Sequence, residues 1–189
     1  MLSDICYDKH TDKNTTHSYL ELYERLLCRI KTSAKNILEI GIGDFKEKNG
    51  GSLMLWRDYF LQATIYGVDI LKKERVLDEL LHDDRIVLHT ETDGYNKSFV
   101  EEKLKNIKFD FLLDDGPHTL NSQIKFIELY SNLISDNGIL IIEDIQNISH
   151  FKLLEQAVPE DLKRYVKTYD LRQNKNRYDD LVFTIDKSI

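Results

Sequence analysis

Length, composition and charge exclude several classes of protein. The 189 residues are 41% hydrophobic and 31% charged, enough to bury a core without disulfides or a structural metal. No apolar run approaches the roughly 18 residues that cross a bilayer, and we expect no secretory signal. The formal net charge of -7 disfavours nucleic acid as a partner.

The two cysteines predict the compartment of the protein. Neither Cys6 nor Cys28 lies in a CxxC pair, and Cys28 falls on the apolar face of a predicted helix, where we expect a buried thiol. This usage predicts a reducing, cytoplasmic environment. The sequence leaves open whether the protein forms a homo-oligomer.

Predicted helices and strands alternate along the chain. A polar loop over 7–17 precedes an amphipathic helix over 18–30, and further helices are predicted at 50–60, 72–81, 98–104, 119–133 and 150–157. Strands are predicted at 36–40, 64–69, 85–89, 109–114, 138–143, 165–171 and 181–185. Because helical crossovers imply parallel pairing, we predict a doubly wound, Rossmann-like α/β fold. Its seven-stranded, mostly parallel sheet ends in an antiparallel C-terminal hairpin.

No repeat, low-complexity tract or linker composition marks a domain boundary. We therefore expect a single domain over 1–189. In it, 1–31 form an N-terminal loop and helix, and 36–189 form the α/β core. The loop over 9–17 either folds over the ligand cleft and excludes water, or is a disordered terminus.

The first predicted strand ends in a glycine pattern that an acid precedes. Glu39, Gly41 and Gly43 form ExGxG, followed by Asp44. The dinucleotide fingerprint GxGxxG fails because Lys46 replaces its third glycine. Glycines here permit a sharp turn and the close approach of a ligand to the backbone.

Acids after the next two strands extend this pattern. Asp69 ends the second strand, where it can bind both hydroxyls of a ribose, and Asp93 lies after the third strand, where it can meet an adenine edge. This order favours a nucleoside that carries a methionine, since such a ligand needs no pyrophosphate cradle. The alternatives are an α/β protein that binds another nucleotide, or none.

A second group of acids follows the fourth and fifth strands. The run Asp-Asp-Gly-Pro-His occupies 114–118, and Glu143 and Asp144 follow the fifth strand. Because neighbouring strands lie about 4.8 Å apart, Asp115 and these two acids should converge, and their repulsion calls for a cation. Oxygen ligands suit Mg²⁺. His118 can face the same cleft as a base for a hydroxyl.

Each of these motifs also has an ordinary structural explanation. Asp-Asp-Gly is a common turn, and the acids Glu143 and Asp144 can simply cap a helix. A single histidine beside a turn is usually not catalytic. The combination at the ends of adjacent central strands favours a functional site.

Together, the motifs resemble class I S-adenosylmethionine-dependent methyltransferases. Within that class they are similar to the metal-dependent sugar O-methyltransferases of macrolide biosynthesis (mycinamicin and tylosin type) and to cephalosporin-hydroxylase-like proteins. The N-terminal Asp8, Lys9 and His10, with His17, Tyr19 and Tyr23, also resemble this family. The runs that carry the resemblance are 37–43, 50–53 with Trp56, 65–69, 109–118 and 138–144.

The resemblance implies an O-methyltransferase that uses S-adenosylmethionine and Mg²⁺, or another divalent cation such as Mn²⁺. It implies His118 as general base, and the metal ligands it implies are Asp115, Glu143 and Asp144. The cofactor contacts it implies are Glu39, Gly41 and Asp69. We predict that four further residues share this role: Gly43, Ser52, Asp93 and Asp114.

The predicted acceptor is a sugar hydroxyl on a glycan or secondary metabolite. The resemblance covers only the catalytic domain of the macrolide enzymes, which leaves the substrate open. The alternatives are a catechol-type or phosphorus-containing acceptor, a non-catalytic nucleoside-binding module, and a metal-dependent hydroxylase, for which one histidine with three carboxylates is a poor iron site. The tail residues predicted to border the acceptor pocket are Arg172, Arg177, Asp179 and Asp180.

Overall fold

The computed structural model describes residues 1–6, 10–43 and 45–189. Asp8, Lys9 and Asp44, which the sequence motifs include, lie outside the described residues. The strands are Asn36–Ile40 (β1), Thr64–Val68 (β2), Ile86–His89 (β3), Phe109–Asp114 (β4), Ile134–Ile142 (β5), Val166–Asp170 (β6) and Leu181–Asp186 (β7).

The seven strands form one sheet in the order β3-β2-β1-β4-β5-β7-β6. The first five strands pair in parallel, whereas β7 runs antiparallel to both β5 and β6. This confirms the predicted doubly wound sheet with its antiparallel C-terminal hairpin. The order reverses between β1 and β4, the position at which sheets of this kind bind ligands.

The longer helices cover the two faces of the sheet. None of the described helices is long and apolar enough to cross a membrane. The α-helices are Leu20–Leu27 (α1), Gly51–Tyr59 (α2), Asp78–Leu81 (α3), Lys97–Phe99 (α4), Leu120–Tyr130 (α5), His150–Ala157 (α6) and Arg172–Lys175 (α7). A π-helix over Val100–Leu104 continues α4, and 3₁₀ turns lie at Leu2–Asp4, Lys73–Arg75, Ser131–Leu133 and Glu160–Tyr165.

The central strands are apolar along their whole length because both of their faces are covered. In β1, Ile37 packs in the cluster that contains Trp56 of α2, whereas its neighbour Leu38 packs in the cluster that contains Phe126 of α5. All four side chains are fully buried. The alternation of side chains along a strand therefore builds one hydrophobic core on each side of the sheet.

Two predictions from helical periodicity were wrong. Residues 72–81 do not form one helix, because Val76 is extended and bridges to Asn49, which splits the segment into a 3₁₀ turn and α3. Cys28 is exposed rather than buried, because α1 ends at Leu27 and its apolar face does not reach the thiol.

Backbone pairing continues beyond the strand ends and fixes the loops that follow. The Asp115 N–H donates to the Ile40 carbonyl at 2.8 Å, and the Glu143 N–H donates to the Asp114 carbonyl at 3.3 Å. The residues that follow β1, β4 and β5 are thereby held side by side. The sheet thus brings the predicted acids to one edge.

Candidate active site

A cavity of about 1000 Å³ opens at the carboxyl ends of β1, β2 and β4. The N-terminal loop forms part of its wall through His10, Thr11 and Asp12. Three of the predicted site residues, Glu39, Asp114 and Glu143, are buried and do not line it. The predicted residues that line the cavity are Gly41, Gly43, Ser52, Asp69, Asp93, Asp115, His118 and Asp144.

The glycine turn after β1 touches the acid turn after β4. Gly41 has φ of +85°, and a Cβ atom there would lie 1.9 Å from the carbonyl oxygen of Asp115. Both the left-handed backbone and this contact require glycine. The two motifs that the sequence separates by more than seventy residues therefore form one continuous surface.

Asp69 organises the glycine turn from the end of β2. Its carboxylate accepts the Ile42 N–H at 2.7 Å and the Leu71 N–H at 2.8 Å, one bond to each oxygen. A carboxylate offers about four lone-pair positions, so both oxygens keep capacity for a ligand. Asp69 lines the cavity, as a ribose-binding acid would.

Two acids lie buried behind the cavity wall. Glu39 accepts a hydrogen bond from the Trp56 indole N–H at 2.8 Å, and Asp114 accepts one from the Tyr95 hydroxyl. Oε1 of Glu39 and Oδ2 of Asp114 have no hydrogen-bond partner among the described residues. Burial raises the pKa of Glu39 to about 7, and burial raises the pKa of Asp114 to about 6.

The side chain of Lys13 lies among the acids and is fully buried. Its Nζ is 2.7 Å from Oδ2 of Asp115 and 3.9 Å from Oε1 of Glu39, and it donates a short hydrogen bond to Oε1 of Glu143. Burial acts to lower the pKa of Lys13, but the charges of the three acids, Asp115 first, outweigh it and raise this pKa well above its usual value.

One ammonium group does not balance the acids around it. Burial, followed by the charge of Asp115, raises the pKa of Glu143 well above its usual value, in spite of Lys13. Burial and the charge of Asp115 also raise the pKa of Asp144. Burial is the first cause of both shifts, and the repulsion between the closely placed carboxylates adds to it.

Two tyrosines at the start of α1 support the acids that follow β5. The Tyr19 hydroxyl donates to Oδ1 of Asp144, and the Tyr23 hydroxyl donates to Oε2 of Glu143. The two rings stack with centroids 5.7 Å apart and are fully buried. Both oxygens of Glu143 are thus engaged, one by Tyr23 and the other by Lys13.

His118 faces the remaining oxygens of the acids. Its Nε2 lies 3.5 Å from Oδ2 of Asp144 and 3.9 Å from Oδ1 of Asp115. Ligand-type atoms of these three residues all lie within 4.8 Å of one another. The His118 side chain remains 31% exposed and lines the cavity, so it is accessible to a bound molecule.

The backbone at this cluster is strained. His118 has a backbone φ of +54° and Asp144 has a backbone φ of +53°, in the left-handed region that residues other than glycine seldom adopt. Such strain costs about 1–3 kcal/mol per residue and concentrates at functional sites. It supports a role for both residues beyond that of an ordinary turn or cap.

A second cluster of buried polar groups lies beside the acids. Nδ1 of His17 is 2.7 Å from Oδ1 of Asp180 and 3.2 Å from Oδ1 of Asp144. Asp180 is fully buried and also accepts a hydrogen bond from Ser18. Neither Asp180 nor the buried Asp179 borders the cavity, which differs from the prediction for the tail. Ligand-type atoms of His17, Asp179 and Asp180 lie within 4.8 Å of one another.

Sequence reasoning missed the most central residue of the cluster, Lys13. The N-terminal segment carries two Asp-Lys pairs, Asp8-Lys9 and Asp12-Lys13, and the family resemblance rests on the first. The signal that could have identified Lys13 is its position four residues before His17, in the segment that leads into Tyr19 and α1. Arg172 and Arg177 border a separate depression of about 310 Å³ rather than the main cavity.

No protein-family model matches the chain. Over 133 residues (68% of this chain, 32% of the relative) it is 31% identical to an 8-demethyl-8-(2-methoxy-alpha-L-rhamnosyl)-tetracenomycin-C 3'-O-methyltransferase of Streptomyces olivaceus. Over 167 residues (87% of this chain, 43% of the relative) it is 27% identical to an 8-demethyl-8-alpha-L-rhamnosyl tetracenomycin-C 2'-O-methyltransferase of the same organism. The chain thus matches less than half the length of these relatives.

A similar solved structure is that of the MycE methyltransferase from the mycinamycin biosynthetic pathway, in complex with Mg, S-adenosylhomocysteine and mycinamycin VI. It superimposes with a TM-score of 0.75 over 98% of this chain and 53% of that chain, at 22% sequence identity. The resemblance stated from the motifs is confirmed: the chain is related in sequence to sugar O-methyltransferases and has the class I methyltransferase fold.

Proposed function

We propose that this protein is an S-adenosylmethionine- and divalent-cation-dependent O-methyltransferase whose acceptor is a sugar hydroxyl. The observation that carries the proposal is the contact between the glycine turn and the acid turn, at Gly41 and Asp115, in the wall of one cavity. Groups suited to a nucleoside and groups suited to hydroxyl activation are therefore immediate neighbours. We place this activity in a single domain over 1–189.

The first part of the cavity fits S-adenosylmethionine. Gly41 and Gly43 line the cavity, and Asp69 keeps free lone pairs for ribose hydroxyls. Ser52 and Asp93 line the same space. Glu39 and Asp114 lie behind the cavity wall, so their oxygens that lack a partner would reach polar groups of this ligand after the wall rearranges on binding.

The second part of the cavity fits a divalent cation. Asp115 and Asp144 would supply oxygen ligands, and Glu143 would do so after it releases one of its two donors. A cation would offset the repulsion among these carboxylates. A cation held there would lower the pKa of an acceptor hydroxyl and orient it. His118 receives the hydroxyl proton at Nε2, and the N-terminal loop closes one side of the cavity and excludes water.

The sugar acceptor is supported by the relatives. Two of them are named as O-methyltransferases of rhamnosyl tetracenomycins, and the similar solved structure contains mycinamycin VI. An acceptor of this size also requires an open cavity such as the one at the strand ends. The cytoplasmic location predicted from the cysteines belongs to the same proposal.

The test is methyl transfer from labelled S-adenosylmethionine to a panel of rhamnosides, catechols and phosphonates, with Mg²⁺ and after exhaustive chelation. We expect a methyl ether on a sugar hydroxyl only when the cation is present. His118→Ala should lower turnover about 10²-fold or more while calorimetry shows unchanged cofactor affinity. His82→Ala, which removes an exposed histidine, is the matched control.

Three outcomes contradict the proposal. Transfer at full rate without a divalent cation removes the metal from the mechanism. Transfer only to catechols or phosphonates contradicts the sugar hydroxyl as the acceptor. Cofactor binding without any transfer makes the protein a nucleoside-binding module.

A further inference from the structure

We propose that Lys13 is a built-in counter-ion whose ammonium group competes with the divalent cation for Asp115 and Glu143. The inference rests on the proposed function, which assigns these two acids to the cation. It predicts that the protein binds the cation more weakly than its acids alone would allow. It also predicts that the acids stay assembled when no cation is bound.

Both carboxylate oxygens of Glu143 already accept hydrogen bonds from other side chains. Oε1 accepts from Nζ of Lys13 and Oε2 accepts from the Tyr23 hydroxyl, and the side chain is fully buried. Glu143 therefore has no oxygen directed at the cavity. To serve as a cation ligand it has to release one of these two donors, and the ammonium is the donor that a cation would repel.

The two carboxylate oxygens of Asp115 face different groups, one the ammonium of Lys13 and the other the cavity. Oδ2 lies 2.7 Å from Nζ of Lys13, whereas Oδ1 lies 3.9 Å from Nε2 of His118 on the cavity side. Oδ2 of Asp144 faces His118 as well, at 3.5 Å. The acids thus present one set of oxygens to the cavity and another set to the ammonium behind it.

The ammonium is held in place by the backbone on either side of it. The Thr16 and His17 N–H groups both donate to the Asp12 carbonyl at 3.0 Å, and the Tyr19 N–H donates to the Lys13 carbonyl at 3.2 Å. These bonds tie the loop to the start of α1, whose tyrosines support the acids. Lys13 is therefore a fixed positive charge at the site rather than a mobile surface lysine.

The test compares wild type with Lys13→Met, a neutral side chain of similar length, in protein stripped of metal and without cofactor. Mn²⁺ is titrated at pH 8 by calorimetry, and thermal unfolding is recorded with and without Mn²⁺. We expect Lys13→Met to bind Mn²⁺ about tenfold more tightly or better, because the competing charge is gone. Its metal-free form should unfold at a lower temperature, and Mn²⁺ should stabilise it more than it stabilises wild type.

Lys163→Met is the matched control, since it removes the same charge from an exposed pair with Glu160. It should change neither quantity. Unchanged or weaker Mn²⁺ binding by Lys13→Met overturns the counter-ion role, because a purely structural lysine would give that result. If Lys13→Met does not fold, Lys13→Gln is measured in the same way. Failure of both variants to fold, with or without Mn²⁺, overturns the proposal too.

The two proposals fail in different ways. If wild type binds Mn²⁺ as tightly as Lys13→Met, only the counter-ion role is lost. If neither protein binds Mn²⁺, the divalent cation of the proposed function is contradicted, and the competition inferred from it falls with it.

Discussion

The two halves of the cavity wall are held together by different kinds of contact. At the glycine turn, Asp69 is satisfied by the backbone N–H groups of Ile42 and Leu71. In the acid half, formed by the residues that follow β4 and β5, Glu143 accepts hydrogen bonds from ionisable side chains, the ammonium of Lys13 and the hydroxyl of Tyr23.

This difference determines how each half responds to change. Backbone amides carry fixed partial charges that neither titrate nor move away, so the glycine half keeps its shape whatever the local charge. The acid half consists of buried charged groups that stabilise one another, so removing one partner leaves another buried charge unpaired and lowers the stability of the protein. Substitutions in the glycine half should therefore affect the cofactor alone, and those in the acid half should affect cation binding, catalysis and stability together.

The largest expected effect follows from Asp115→Asn, which removes one charge from the acid half and leaves the backbone contact with Gly41 intact. Turnover should fall about 10³-fold, the scale of several kcal/mol that a cation contributes to such a reaction. Mn²⁺ binding should be lost. Single-turnover methyl transfer and calorimetry measure both quantities.

The control for Asp115→Asn is Asp136→Asn, which makes the same change at a fully exposed aspartate. It should leave turnover and Mn²⁺ affinity unchanged. Affinity for S-adenosylmethionine should also survive in Asp115→Asn. If that affinity falls as far as the turnover, the two halves are not independent and the comparison between them breaks down.

The next effect is that of Asp69→Asn in the glycine half. The variant loses a charged acceptor for ribose hydroxyls and one of its bonds to the turn, so the Kd for S-adenosylmethionine should rise about 10–100-fold, as loss of charged hydrogen bonds predicts. Mn²⁺ affinity should stay at the wild-type value, because Asp69 makes no hydrogen bond or ion pair with the acids. Calorimetric titration with each ligand checks both expectations, and a drop in Mn²⁺ affinity would contradict the separation.

The sheet and its acids could be predicted from sequence because they follow from periodic patterns. The bounds of β1 and β4 match the predicted apolar runs residue for residue. Once the strand order was expected to place β4 beside β5, convergence of Asp115 and Asp144 followed from the spacing of strands. Residues that follow two neighbouring parallel strands must lie side by side, so their relative position can be predicted from the sequence once the strand order is known.

The residues that balance the acids could not be predicted in the same way. Lys13 contacts Asp115 across 102 positions of chain, from a loop that has no periodicity to fix its direction. Tyr19 and Tyr23 fit the apolar spacing of α1, which predicts burial and says nothing about the acids their hydroxyls meet. Likewise, the apolar pattern over 72–81 could not reveal the bridge between Val76 and Asn49 that interrupts a helix there.

The smallest effect is that of Tyr23→Phe, which tests whether the acid half depends on each of its donors. The variant leaves Oε2 of a fully buried Glu143 without its hydrogen bond, which should lower the free energy of unfolding by about 1–3 kcal/mol. For a chain of this size that corresponds to a fall of several degrees in Tm, at about 2–4 °C per kcal/mol. Thermal unfolding without metal measures it.

Tyr59→Phe provides the matched comparison for this prediction. Tyr59 is also buried, and its hydroxyl donates at 3.1 Å to Glu24, a half-buried glutamate. Water can replace the lost donor at Glu24 but not at Glu143, so Tyr59→Phe should cost clearly less than Tyr23→Phe. Equal losses in the two variants would show that burial of the acid half adds nothing to the cost of an unmade hydrogen bond. The two halves of the cavity wall would then differ only in the ligand that each binds, the cation or S-adenosylmethionine, and not in their contribution to stability.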